Sequence, residues 1–139
     1  MIYNSKKIKL AIIGLGYVGL PLALEFAKKK MIIGFDTNTE RVKELNSGID
    51  KNLEFNKKQI RGSSKIKFTY NVEDLKSINC FIVTVPTPIN KIKKPDLTAL
   101  SEASKMIGKF IKKGDLIIYE STVYPGCIEE ICVPILQKF

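Results

Sequence analysis

Three glycines at a fixed spacing are the first feature of this sequence that points to chemistry. Gly14, Gly16 and Gly19 form a G-x-G-x-x-G motif directly after an apolar segment and before a helical pattern. In such a motif the first glycine permits a tight turn, the second leaves room for phosphates to approach the backbone, and the third lets the helix pack close to the strand. Free N–H groups at the start of that helix favour negative charge. The motif therefore predicts a dinucleotide site, with a glycine-rich packing turn as the alternative.

An acidic residue separates these two interpretations. Asp36 follows a second apolar segment and comes about 20 residues after the motif, the interval typical of a carboxylate that binds an adenosine ribose. Such a carboxylate accepts hydrogen bonds from both ribose hydroxyls and repels a 2′-phosphate, so the sequence favours NAD over NADP. Flavin or S-adenosylmethionine binding shares much of this geometry and stays open. Arg41, about one helical turn further on, is expected either to lie over the adenine or to be exposed.

Two further loops follow apolar segments and are candidates to face the same ligand. The first contains Val85, Pro86, Thr87 and Pro88, whose prolines stiffen the backbone and whose threonine offers a hydroxyl. The second covers residues 120–126 and includes the hydroxyls of Ser121 and Thr122, with Tyr17 and Val18 of the glycine motif as further candidates. From spacing alone, either loop is equally consistent with an ordinary turn that ends a strand.

Composition excludes several classes of chemistry. The chain has 139 residues and no histidine, which rules out Ser-His-Asp and Cys-His catalysis. Its three cysteines, Cys80, Cys127 and Cys132, are an odd number without histidine partners, so we expect neither a disulfide framework nor a metal site. Buried free cysteines usually behave as small apolar residues, and we assign none of them a covalent role.

The formal net charge of +9 raises nucleic acid, an acidic membrane or a phosphorylated ligand as partners. The lysines fall in short, scattered clusters typical of a solvated surface, so we expect no nucleic-acid partner. We also expect no membrane partner, because the longest uncharged run, residues 10–24, is shorter than the about 20 residues that a spanning helix needs. The expected location is the cytoplasm.

Alternation of apolar runs with helical periodicity predicts an α/β fold, a Rossmann-type doubly wound parallel sheet forming one domain over residues 1–139. Right-handed crossovers give the strand order 3-2-1-4-5 and place the ligand at the carboxyl ends of strands one and four. Residues 49–64 are expected to be loop with at most one helical turn. Thr37 and Asp96 are the expected caps of two helices, and Pro134 should interrupt a last one. The five predicted strands are residues 8–13, 31–35, 65–69, 80–85 and 116–119.

Five segments resemble the UDP-glucose/GDP-mannose dehydrogenase family. They read IIGLGYVGLPLA, GFD followed by Arg41, LNSG, VTVPTP and ESTVYPG, and they occur in order over almost the whole chain. Within that family, these segments most resemble those of enzymes that act on UDP-N-acetylhexosamines in Vi-antigen and O-antigen polysaccharide biosynthesis.

The resemblance implies an NAD-dependent oxidoreductase that converts the C6 alcohol of a UDP-sugar to a carboxylate with two NAD, and a homodimer in the full-length protein. It carries cofactor contacts over to a set of residues and makes Thr122, near the reacting centre, the catalytic candidate. That set is Gly14, Gly16, Tyr17, Val18, Gly19, Asp36, Arg41, Val85, Pro86, Thr87, Pro88, Ser121 and Thr122.

The family's nucleophilic cysteine and oxyanion-stabilising residues lie downstream of the region that the resemblance covers. We therefore expect this chain to bind NAD without completing catalysis, with the substrate held mainly by other domains. An NAD-sensing or protein-interaction module is the alternative from a different functional class.

Overall fold

The computed structural model describes residues 7–139. Five strands form one parallel sheet in the order β3-β2-β1-β4-β5, which confirms the predicted order. They are β1 (Leu10–Ile13), β2 (Ile32–Phe35), β3 (Ile66–Thr69), β4 (Cys80–Val83) and β5 (Leu116–Tyr119). Every residue of β1 and β4 is buried, as expected for strands covered on both faces.

Helices connect the strands and cover the sheet. They are α1 (Gly19–Ala27), α2 (Thr39–Asn46), α3 (Lys57–Arg61), α4 (Thr98–Gly108) and α5 (Val133–Leu136), with a 3₁₀ turn at Val72–Leu75 and a π-helical turn at Ile128–Cys132. Within residues 7–139, no helix has the length and apolar character needed to cross a membrane.

Each face of the sheet carries its own apolar core. On one face, β1 side chains such as Ile12 pack with Leu20 of α1 and Leu45 of α2. On the other face, β4 side chains such as Phe81 pack with Ile107 of α4 and with Cys132. Because both faces of β1 are covered, the turn that follows this strand is held on a rigid support.

The loop after β2 corrects one expectation from the sequence. The cap of α2 is Asn38 and not Thr37: the Asn38 side chain accepts hydrogen bonds from the N–H groups of Glu40 and Arg41. Asp36 Oδ1 accepts from the Asn38 N–H at 2.8 Å and so turns the chain before the helix begins.

Two other helix ends refine the expectations. α3 is a full capping-box helix, with Asn56 and Gln59 exchanging side-chain to backbone hydrogen bonds. Asp96 accepts from the Thr98 N–H at 3.0 Å, although Leu97 occupies the cap position of α4.

Pro134 changes the helical pitch near the end of the chain, in line with the expected interruption. A proline has no N–H and its ring collides with the carbonyl four residues earlier in a regular α-helix. Here the preceding turn is π-helical, and the Val133 N–H bonds the Ile128 carbonyl five residues back. Pro134 then lies in the first turn of α5, where a missing N–H costs little.

Candidate functional site

A cavity of about 760 Å³ lies at the carboxyl ends of β1, β2, β4 and β5. Its walls are residues 13–18 after β1, Asp36 and Thr37 after β2, residues 84–87 after β4, and residues 120–122 after β5, with one side of α4 closing it. Doubly wound sheets bind their ligands at this edge, where the strand order reverses between β1 and β4. The cavity therefore lies where the sequence predicts the ligand.

The glycine loop leaves its backbone open toward this cavity. Gly14 has a φ of +98°, which favours glycine, and its N–H donates to the Phe35 carbonyl at 2.8 Å. A Cβ placed on Gly16 would meet no atom within 4 Å. Within residues 7–139, the N–H groups of Gly16, Tyr17 and Val18 make no backbone hydrogen bond. This combination of open space and unpaired donors suits a diphosphate.

Gly19 has the opposite surroundings and does not line the cavity. A Cβ there would lie 1.7 Å from the Gly14 carbonyl oxygen and 2.5 Å from Thr84 Oγ1. Thr84 Oγ1 also approaches the Gly14 carbonyl oxygen, at 2.7 Å, so this hydroxyl joins β4 to the glycine loop. Gly19 thus allows close packing of helix against strand, the geometric role expected for the third glycine.

Asp36 lies at the end of β2 with its carboxylate on the cavity wall. Oδ2 accepts from the Leu15 N–H and Oδ1 from the Asn38 N–H, each at 2.8 Å. Two backbone donors therefore fix the carboxylate, and each oxygen keeps lone-pair capacity for a further donor. The half-buried group can accept hydrogen bonds from paired hydroxyls.

Arg41 does not lie on the cavity wall. Its side chain is buried: Nε donates to the Leu15 carbonyl at 2.9 Å and Nη1 contacts Asp50 Oδ1 at 2.7 Å. Glu44 Oε2 lies 3.7 Å from the same Nη1. Neither outcome expected from the sequence, a position over the adenine or an exposed side chain, matches this placement. The guanidinium therefore holds the glycine loop through the Leu15 carbonyl and does not line the cavity.

The loops after β4 and β5 are joined by two short hydrogen bonds. Ser121 Oγ donates to the Val85 carbonyl, and Thr87 Oγ1 donates to the Thr122 carbonyl, both at 2.6 Å. Since each hydroxyl proton is used within the protein, these oxygens face a ligand as acceptors. The structure thus brings both predicted loops to one wall. Of their candidate residues, Pro88 is outside it.

Several lining residues were missed from the sequence. Thr84 was a detectable candidate, because it lies near the carboxyl end of the strand predicted over residues 80–85, an end expected at the site. Glu102 and Met106 line the cavity from α4, and Asn52 does so from the loop after α2. The spacing of α4 indicated its core stripe but not which residues border the cavity, and no spacing signal marked Asn52.

The cysteines stand apart from this cavity. All three are buried, and none lines it. Burial raises the pKa of the Cys80 thiol and of the Cys127 thiol, which keeps both groups protonated at neutral pH. Protonated thiols are poor nucleophiles.

A second concavity, of about 1020 Å³, lies at the amino ends of the strands. Its floor is mostly apolar, with Leu10, Ile32, Ile82 and Ile118 among its lining residues. It is larger than the first cavity but lies at the sheet edge opposite the glycine loop. We therefore take the carboxyl-end cavity as the functional site.

Comparison with known proteins agrees with this geometry. Residues 8–139 match the model of the UDP-glucose/GDP-mannose dehydrogenase family, NAD binding domain. The chain is 58% identical to UDP-N-acetyl-D-glucosamine 6-dehydrogenase of Pseudomonas aeruginosa, over 96% of this chain and 32% of that protein. For the enzyme of the same name from Salmonella typhi the identity is 52%, over 98% and 32%.

A solved structure shows the same relationship in three dimensions. The UDP-D-ManNAc dehydrogenase of Pyrococcus horikoshii superposes with a TM-score of 0.81 at 35% identity, covering 95% of this chain and 33% of that one. The chain thus spans about a third of the length of the relatives that it matches.

Proposed function

The chain belongs to the UDP-glucose/GDP-mannose dehydrogenase family as an NAD-binding domain, and from this membership we propose how its cavity holds NAD. The adenosine ribose is held by Asp36 and the diphosphate by the N–H groups of Gly16, Tyr17 and Val18, with Gly14 forming the turn before them. The nicotinamide end extends toward the hydroxyl-bearing wall formed by the loops after β4 and β5. The fixed Asp36 carboxylate beside unpaired loop N–H groups is the observation that carries this proposal.

The complete protein, in this proposal, oxidises the C6 alcohol of a UDP-N-acetylhexosamine to the uronate. The two relatives of 58% and 52% identity are both named UDP-N-acetyl-D-glucosamine 6-dehydrogenases, which supports the reaction and the substrate class. Converting an alcohol to a carboxylate removes four electrons and adds one oxygen atom from water. When bound, NAD accepts a hydride, so each turnover uses two NAD.

Residues of this chain hold and orient the cofactor in the proposal. Val85, Pro86 and Thr87 form one side of the nicotinamide end, and the Ser121 oxygen acts there as a hydrogen-bond acceptor. Thr122 follows Ser121 on the same wall, and we propose it as the catalytic candidate next to the reacting carbon.

Isothermal titration calorimetry of the purified chain with NAD⁺ and with NADP⁺ tests the proposal. We expect saturable binding of NAD⁺ and at least tenfold weaker binding of NADP⁺, because the Asp36 carboxylate repels a 2′-phosphate. An Asp36→Ala variant should weaken NAD⁺ binding by about 1 to 3 kcal/mol through loss of charge-assisted hydrogen bonds. Equal affinity for the two nucleotides, or no effect of the substitution, would contradict the ribose assignment.

A further inference from the structure

We propose that Asn52 reads the adenine ring of the dinucleotide, and that a buried ion pair between Arg41 and Asp50 positions it. The inference rests on the proposed function, since it assigns a residue to the adenosine end of the NAD site. Asn52 belongs to the loop between α2 and α3 and lines the cavity together with Asp36 and Thr37. Its sequence context gave no indication of such a role.

One carboxylate fixes the shape of this loop. Asp50 is only 5% exposed, and its Oδ1 accepts from Arg41 Nη1 at 2.7 Å and from the Asn52 N–H at 3.2 Å. Its Oδ2 accepts from the N–H groups of Glu54 and Phe55, each at 3.1 Å. Four donors on one buried side chain hold the backbone around Asn52 in a single arrangement.

The same ion pair connects the loop to the ribose site. Arg41 Nε donates to the Leu15 carbonyl at 2.9 Å, and the Leu15 N–H donates to Asp36 Oδ2 at 2.8 Å. A continuous chain of hydrogen bonds therefore runs from the Asp36 carboxylate, through the glycine loop and Arg41, to Asp50. Asn52 is consequently placed by the same scaffold that places Asp36, which makes Arg41 a positioning residue.

The Asn52 side chain has capacity for a ligand. It is half-buried on the cavity wall, and within residues 7–139 its side-chain amide makes no hydrogen bond. An amide offers a donor and an acceptor side by side, and adenine presents the complementary pair at its N7 and its 6-amino group. The hydrogen bonds from Asp36 through Leu15 and Arg41 to Asp50 link Asn52 to the ribose carboxylate, and we therefore assign it to the adenosine end.

The test compares NAD⁺ with nicotinamide hypoxanthine dinucleotide, in which an oxygen replaces the 6-amino group of adenine. Calorimetry on the wild-type chain should show about 3- to 10-fold tighter binding of NAD⁺, the size of one neutral hydrogen bond. Asn52→Ala should weaken NAD⁺ binding by that factor and abolish the preference between the two dinucleotides. Asn56→Ala is the matched control. Asn56 caps α3 and does not line the cavity, so this substitution of the same residue type should leave the preference intact.

Each other outcome is decisive. If Asn52→Ala leaves NAD⁺ affinity and the preference unchanged, the assignment is wrong while the proposed NAD site stands. If it weakens both dinucleotides equally, Asn52 does not read the 6-amino group and the adenine assignment is also wrong. If the wild-type chain binds neither dinucleotide, the proposed function itself fails, and this inference fails with it.

Discussion

Gly16 and Gly19 belong to one motif, yet a methyl group would meet empty space at the first and a carbonyl oxygen at the second. The two positions therefore separate binding from folding. The open space at Gly16 is useful to a ligand, whereas the contact at Gly19 is useful to the packing of α1 against β1. Substitution by alanine adds the same atom at both sites and makes them a matched pair.

We predict that Gly16→Ala reduces NAD⁺ affinity at least tenfold while the free energy of unfolding stays within about 1 kcal/mol of wild type. Gly19→Ala should lower the free energy of unfolding by about 3 kcal/mol or more, because neither the Gly14 backbone nor Thr84 can move away without disturbing β1 and β4. Urea unfolding and calorimetry on both variants check this. A Gly16→Ala protein that is destabilised but binds NAD⁺ normally would contradict the assignment of Gly16 to ligand binding.

At the same scale, sequence reasoning identified residues whose role is set by local chemistry. The positions of Asp36 and the three glycines at the cavity edge and in its glycine loop were predictable because the motif demands one residue type at one spacing. Arg41 was not, because its partner Asp50 lies in an irregular loop where no periodicity relates the two. The same irregularity hid Asn52.

Among the elements, the loop between α2 and α3 is held by one buried carboxylate, Asp50, which accepts four hydrogen bonds. Burial raises the pKa of Asp50. Hydrogen bonds from Arg41 and from the Phe55 and Asn52 N–H groups lower this pKa by more than burial raises it, so the net pKa is below the usual value. A carboxyl group whose pKa is depressed in the folded state stabilises the protein above its unfolded pKa. That contribution is lost as the pH falls through the folded pKa.

We therefore predict that the free energy of unfolding changes little on account of Asp50 between pH 7 and 5 and falls below about pH 4. Asp50→Asn should cost about 1.5 to 3 kcal/mol at pH 7, since Arg41 then loses its short charged hydrogen bond and keeps only the longer contact with Glu44. It should also show a shallower loss of stability below pH 4 than wild type. Urea titrations at a series of pH values measure both effects. If the free energy of unfolding falls equally steeply below pH 4 in wild type and in the variant, Asp50 is not the titrating group.

Helix ends show where element prediction succeeded and where it stopped. The Asn56 and Gln59 pair has the spacing of a capping box, which marks the start of α3 in the sequence. The five residues of α3 are too few to show helical periodicity, so the sequence alone did not establish a helix there. The start of α2 moved one residue because Asp36 binds the Asn38 N–H, a contact that exists only once the turn has formed. Propensity alone does not choose between two adjacent capping residues.

At the scale of the whole molecule, the strand order was predictable because the handedness of crossovers leaves few alternatives for alternating strands and helices. The sheet joins the two apolar cores into one unit, so we expect ligand binding to stabilise the entire domain. NAD⁺ at 100 times its dissociation constant should raise the free energy of unfolding by about 2.7 kcal/mol. NADP⁺ at the same concentration should raise it far less, and urea unfolding with each nucleotide measures the difference. Equal stabilisation by the two would argue against discrimination at Asp36.

The central position of β1 in the sheet also affects how the chain folds during translation. The Lys9 N–H, just before β1, donates to Asn79 Oδ1 just before β4, a contact between residues 70 positions apart. β1 therefore keeps one edge without its partner strand until translation has passed β4. During that interval we expect the growing polypeptide to expose an apolar strand edge, at which a pause in translation would favour aggregation.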